Sequence, residues 1–169
     1  MTYQRFEELP VWQEAMRLAE GVYDLTEQNT KRMSHSLRDQ LERAALSVSN
    51  NIAEGFERGT TNELLAFIYI ARGSAGEVRS MLVFLGRRAG FGDLKSEISN
   101  LKLVAESCSR QLRAWAESLQ NSEIKGQRHL NDRTKSSAEQ KRRAEAFQKE
   151  LLNRLPADHP LRRLPEESA

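Results

Sequence analysis

The sequence predicts an all-α protein: an antiparallel up-down-up-down four-helix bundle with an additional C-terminal helix or tail. Three observations lead there. Apolar residues recur at steps of three and four in four successive segments between Pro10 and Leu119, each segment is bounded by helix start or stop chemistry, and the links between them are short. Short links between long helices force chain neighbours to run antiparallel.

The first segment carries Trp12, Ala15, Met16, Ala19, Val22 and Tyr23 on one stripe, and Pro10 suits its first turn, where a missing N–H costs nothing. Polar residues from Asn29 to Ser34 break the pattern. A second stripe then runs through Leu37, Leu41, Ala44, Ala45, Val48, Ile52 and Phe56, until Gly59 interrupts it. Thr60 with Glu63 forms a capping box that opens the third segment, Leu64 to Leu85. Gly86, Gly90 and Gly92 mark a turn, Asp93 is placed to cap the next helix, and Leu94, Ile98, Leu101, Ala105, Cys108, Leu112, Trp115 and Leu119 form the fourth stripe. These segments define a bundle domain over residues 1–120. Residues 121–169 form a charged tail with one further helix expected at about 137–155, opened by Ser136 and Glu139 and ended by Pro156. Its stripe of Ala144, Phe147, Leu151 and Leu155 is thin.

Composition narrows the function classes. A lone cysteine among 169 residues excludes an internal disulfide framework and a thiol-rich metal cluster. With neither an apolar run at the N-terminus nor a stretch of roughly 20 apolar residues, the expectation is a cytoplasmic protein without a membrane span. The net charge of +2 comes from the tail: residues 1–120 hold 15 basic and 16 acidic side chains, and residues 121–169 hold 11 and 8. The sequence carries no GxGxxG run, phosphate loop or nucleophile elbow. His35, His129 and His159 lie too far apart to converge on a metal, and Cys108 on an apolar stripe reads as a buried structural thiol. The expectation is a non-enzymatic protein with no cofactor, no metal and no small-molecule substrate.

The third segment is the most informative. Its principal face of Leu64, Phe67, Ile68, Ala71, Ala75, Val78, Leu82 and Leu85 suffices for the bundle, yet Leu65, Tyr69 and Val83 lie on one flank and Ile70, Met81 and Phe84 on another. A helix apolar around most of its circumference leaves one side facing water in a small bundle. Such surface marks an interface, and the simplest partner is a second copy of the chain. The run Arg72-Gly73-Ser74-Ala75-Gly76 puts small residues mid-helix, where each glycine costs about 1 kcal/mol against alanine. Close packing of a neighbouring backbone is the favoured compensation, ahead of a ligand groove.

Two runs carry a family resemblance. The stretch from Arg43 through Asn50-Asn51-Ile52-Ala53-Glu54-Gly55-Phe56, followed by Phe67 to Ser74 and Glu77, resembles the four-helix bundle proteins named after 23S rRNA intervening sequences. The opening Phe6-Glu7-Glu8-Leu9-Pro10-Val11-Trp12-Gln13 is similar to that family's start. The resemblance implies a small bacterial protein that assembles as a barrel-like homopentamer. It also implies kinship with the accessory variability proteins of diversity-generating retroelements, which bind nucleic acid and a reverse transcriptase. Unlike those strongly basic proteins, the bundle here is neutral, and Asn29 to Ser34 lacks their aromatic-proline pair. The intervening-sequence type is therefore the closer analogy.

Glu54, Asn51 and Asn50 sit on or beside the second stripe, so partners are expected on the neighbouring helix among Arg72, Ser74 and Glu77, with Glu54–Arg72 as a register-fixing pair within or between subunits. Candidates for RNA or DNA contact are Arg72 and Arg79, which share one helix face, together with Arg38, Arg43, Arg87 and Arg88. A second set is Lys141, Arg142 and Arg143 in the tail, where Glu139 and Glu145 neutralise part of the charge. The alternative is a scaffold or adaptor that uses the apolar flanks of the third helix or the tail to hold another protein, a retroelement reverse transcriptase included.

Overall fold

The computed structural model describes residues 3–121, 143–148 and 150–154. Four long helices account for most of the first stretch: α1 Pro10–Gln28, α2 His35–Glu57, α3 Thr61–Arg87 and α4 Lys95–Gln120. No strand occurs among the described residues. Short 3-10 turns at Phe6–Glu8 and Gly92–Leu94 lead into α1 and α4.

Each helix starts for a local reason. Leu9 is extended and Pro10 opens α1, while the Phe6 ring stands edge-on to Trp12 at 5.3 Å and fixes the entry of the chain. The Ser34 hydroxyl accepts the Leu37 N–H at 3.3 Å and caps α2. At α3 the Thr60 hydroxyl oxygen accepts the Glu63 N–H at 3.3 Å and donates to the Glu63 carboxylate at 2.7 Å. Asp93, in contrast to the sequence expectation, does not cap α4. It lies inside the 3-10 turn, its carboxylate is engaged by Arg32, and the residue at the cap position is Leu94.

The helices form a closed ring of neighbours, with α1 packed against α2 and α4, and α3 packed against the same two. Antiparallel order follows from paired positions. Moving up α2 from Ser47 to Gly55 moves down α3 from Ser74 to Phe67, and moving up α3 from Tyr69 through Arg79 to Gly86 moves down α4 from Gln120 through Glu106 to Ile98. This is the up-down-up-down bundle.

Leu18, Leu25, Leu41, Ile52, Leu64, Ile68, Leu82, Leu85 and Leu112 are fully buried at its centre. Each such side chain stabilises the fold by about 1.5–3 kcal/mol relative to exposure. Helix α2 packs closely against α3 at Gly55, where a Cβ would stand 2.7 Å from the Phe67 Cβ.

The chain divides into two compact units, Met1–Arg128 and His129–Ala169. In the second, residues 143–148 and 150–154 are helical, Arg154 pairs with Glu150 at 2.5 Å, and Phe147 and Leu151 are exposed. The remainder of the helix expected at 137–155 lies outside the described residues.

Candidate functional site

The polar link between α2 and α3 differs from the expected one. The Asn51 amide donates to the Ser47 carbonyl at 2.6 Å and to the Ser47 hydroxyl at 2.9 Å. That hydroxyl meets the Ser74 hydroxyl across the helix interface at 2.9 Å, and Ser74 also donates to the Ile70 carbonyl. Glu54 does not reach Arg72 within the chain: its carboxylate binds Arg58, the residue just past the end of its own helix, at 2.5 Å, and the Arg58 guanidinium also lies over the Phe67 ring. The reason is angular. Ser74 faces α2, and Arg72, two residues earlier, is turned about 200° away from it. Arg72, Glu77 and Asn50 are exposed.

At the end of the bundle that holds the α1–α2 and α3–α4 connections, Arg32 ties the two together. Its guanidinium donates to both Asp93 oxygens, at 2.6 and 2.9 Å, to the Gly90 carbonyl and to Asn29 Oδ1, and it lies 5.0 Å over the Phe91 ring. Hydrogen bonds from Arg32 hold the Asp93 carboxyl below its ordinary range. Gly90 has φ +96°, a conformation that favours glycine, and it presents its carbonyl to Arg32. Sequence reasoning missed this clamp, since its partners are about 60 residues apart.

The flanks of α3 separate into two groups. Leu65 and Met81 are half-buried and pack against the core, and Val83 is half-buried beside α4. Tyr69, Ile70 and Phe84 stay exposed at 45, 51 and 48%. Tyr69 accepts a hydrogen bond from the Gln120 amide at 2.8 Å, leaving its ring outward, and Arg88 lies 5.7 Å over the Phe84 ring. The outward stripe runs Ala66, Ile70, Gly73, Glu77, Ser80, Phe84 at helical spacing, all exposed. A Cβ built on Gly73 or on Gly76 meets nothing within 4 Å. Packing inside the protomer therefore does not compensate these two glycines.

The candidate arginines do not form one patch. Arg43 pairs with Asp39 at 3.4 Å, and Arg38 on the same helix is half-buried, with its Nε buried and without a hydrogen-bond partner. Arg79 reaches Glu106 at 3.9 Å. Arg72, Arg79 and Arg87 follow one side of α3, toward α4, while Arg88 lies beyond the helix end. Lys141 and Arg142 lie outside the described residues, and Arg143 is exposed on its helical segment. What the fold does bring together is Arg87 with Lys95 and Lys102, around a groove of about 330 Å³ between the end of α3 and the start of α4. The two lysines stand seven residues apart on one face of α4, a spacing visible in the sequence but not singled out there.

Cys108 is fully buried, and burial pushes its thiol up to about 11, so it remains protonated and out of reach. Among the described residues no three metal-binding side chains cluster, and no helix is long and apolar enough to cross a membrane.

The sequence profile of the 23S rRNA-intervening sequence protein family matches residues 7–114. The chain belongs to that family. No curated protein matches it. The match covers α1 to α3 and most of α4 and leaves the second unit outside. Within the family region, the run Asn50 to Phe56 supplies both Asn51 of the serine link and Gly55 of the close helix crossing. The run Ala71-Arg72-Gly73-Ser74 supplies the other half of that link together with one open glycine.

Proposed function

We propose that this family member is a non-enzymatic homo-oligomer, assembled as a pentamer, that binds RNA or DNA on its outer surface. The observation that carries the reading is the outward face of α3. Ile70 and Phe84 are exposed on the same stripe as Gly73, and the open glycines leave the backbone bare between them. A bare backbone flanked by large apolar side chains suits a second helix at close range, which removes apolar area from water at about 25 cal/mol per Å² and offsets the glycine cost. Nucleic acid as the ligand is supported by the family's association with an rRNA insertion and by Arg72, Arg79 and Arg87 along one side of α3. A ring repeats each arginine in every subunit and so enlarges the positive surface that a nucleic acid would meet.

Light scattering after size exclusion tests the assembly. The wild-type chain is expected at five times its 19.3 kDa mass, and Ile70→Glu with Phe84→Glu at the single-chain mass with helical content unchanged. A wild-type chain that stays at single-chain mass at micromolar concentration would overturn the proposal.

A further inference from the structure

We infer that the groove between the end of α3 and the first two turns of α4 is a phosphate site that takes the sugar–phosphate backbone of a nucleic acid strand. This rests on the nucleic-acid reading above and assigns it a place. Arg87, Lys95 and Lys102 line the groove, no carboxylate does, and Leu82, Val83 and Ile98 give it an apolar floor. Arg5, Arg17, Arg32, Arg43, Arg58, Arg79, Arg110 and Arg113 each have a carboxylate within ion-pair distance. Arg87, Lys95 and Lys102, like Lys31, Arg38, Arg72 and Arg88, have no ion-pair partner among the described residues, and these three are gathered around one groove.

Three like charges held together without a counter-ion repel one another, and an anion relieves that repulsion. Two further groups favour an anion there. The Ser99 hydroxyl lines the groove, and α4 begins at Lys95 without a side-chain cap, so the positive end of the helix dipole lies beside it. The dimensions suit a strand more than an isolated anion. Lys95 and Lys102 are separated by about 10 Å along the helix, and that length matches the axial rise of about three nucleotides. Cations that meet phosphate fix the strand's position on the protein and by themselves carry no sequence information.

The test is a salt titration of the full-length protein against a fluorescein-labelled oligouridylate of about 20 nucleotides, repeated with oligothymidylate. In Arg87→Gln/Lys95→Gln/Lys102→Gln, the slope of log affinity against log salt should be shallower by about 2, from three lost phosphate contacts at about 0.7 each. Between about 50 and 200 mM salt the wild type then loses roughly 20-fold more affinity than the variant. The variant should melt at or above the wild-type temperature, because a repulsion has been removed. Arg87→Lys/Lys95→Arg/Lys102→Arg should keep the wild-type slope.

A control of equal charge, Arg5→Gln/Lys31→Gln/Arg110→Gln, should also keep it. An equal drop in that control would make the effect diffuse charge and overturn the groove. An unchanged slope in the groove variant, with wild-type binding intact, would overturn the groove and leave the nucleic-acid reading standing. Wild-type protein that binds neither oligonucleotide at low salt would overturn both. Polyglutamate bound more tightly than either oligonucleotide, and lost in the groove variant, would give the site to an acidic protein and overturn the assignment.

Discussion

Replacing Gly73 and Gly76 together by alanine separates the stability of the protomer from its assembly, because the two respond with opposite sign. Both residues lie inside α3, and a methyl group at either enters open space within the chain. The helix therefore gains what alanine is worth over glycine in a helix interior, about 0.8–1 kcal/mol per site. The pair contributes about 1.5–2 kcal/mol, and in a chain of this length each kcal/mol raises the melting midpoint by about 3–4 °C. The isolated protomer should melt about 6 °C higher. In an assembly that seats a neighbouring backbone on the bare stretch, each methyl overpacks the contact at a cost of about 1–3 kcal/mol. Melting followed by circular dichroism across a dilution series, with light scattering at each concentration, reads both effects, since an oligomer's midpoint depends on concentration. The expected variant melts above wild type when dilute and has lost mass when concentrated. If it melts lower while monomeric, the space around the glycines is not open. If it assembles like the wild type, the α3 stripe is not the interface.

Gly55→Ala should have the opposite outcome in the protomer itself. Its Cβ would stand 2.7 Å from the Phe67 Cβ, an atom fixed to the α3 backbone, so the helices must separate, and a net destabilisation of about 1–3 kcal/mol is expected in urea titration. Gly21→Ala is the milder comparison, because its clash is with Leu101 Cδ2 at the end of a flexible side chain. Cys108 makes stability depend on alkaline pH. Its thiol titrates at an ordinary value of 9.0 in the unfolded chain and at about 11 in the folded one. The contribution is thus complete below pH 9 and lost as the pH rises towards 11. By pH 10 the loss is about 1.4 kcal/mol, equivalent to one pKa unit. Urea midpoints at pH 8 and 10 should diverge more for the wild type than for Cys108→Ala, and equal divergence would refute the shift.

Helix period carried most of the fold into view. Every residue of the second stripe but Leu37 is buried, and the principal face of α3 is buried except for the half-buried Phe67. Such agreement is expected where a single repeat decides which side of a cylinder meets the core. Caps were legible where the side chain acts on its own helix, as at Thr60, and illegible where a distant group competes for it. Asp93 has the right chemistry and place for a cap, yet Arg32 claims its carboxylate, and nothing local to Asp93 announces that competitor.

Pairs between helices were only half legible, and the failure has a geometric cause. Periodicity tells which residues share a face but not which neighbour that face meets, so the sequence pointed to Glu54–Arg72 where the structure pairs Ser47 with Ser74. The choice between them was made by the rotation of α3, with Ser74 turned to Ser47 on one side while Arg79 reaches Glu106 of α4. The same rotation gathers Arg87 with Lys95 and Lys102. Lys95 and Lys102 share a face by spacing alone, but Arg87 joins them only because the turn between α3 and α4 folds back, fastened to the rest of the bundle end by the Arg32–Asp93 pair. A cluster of charge built from two helices and the turn between them is a property of register, and register is decided by contacts that no window of sequence contains.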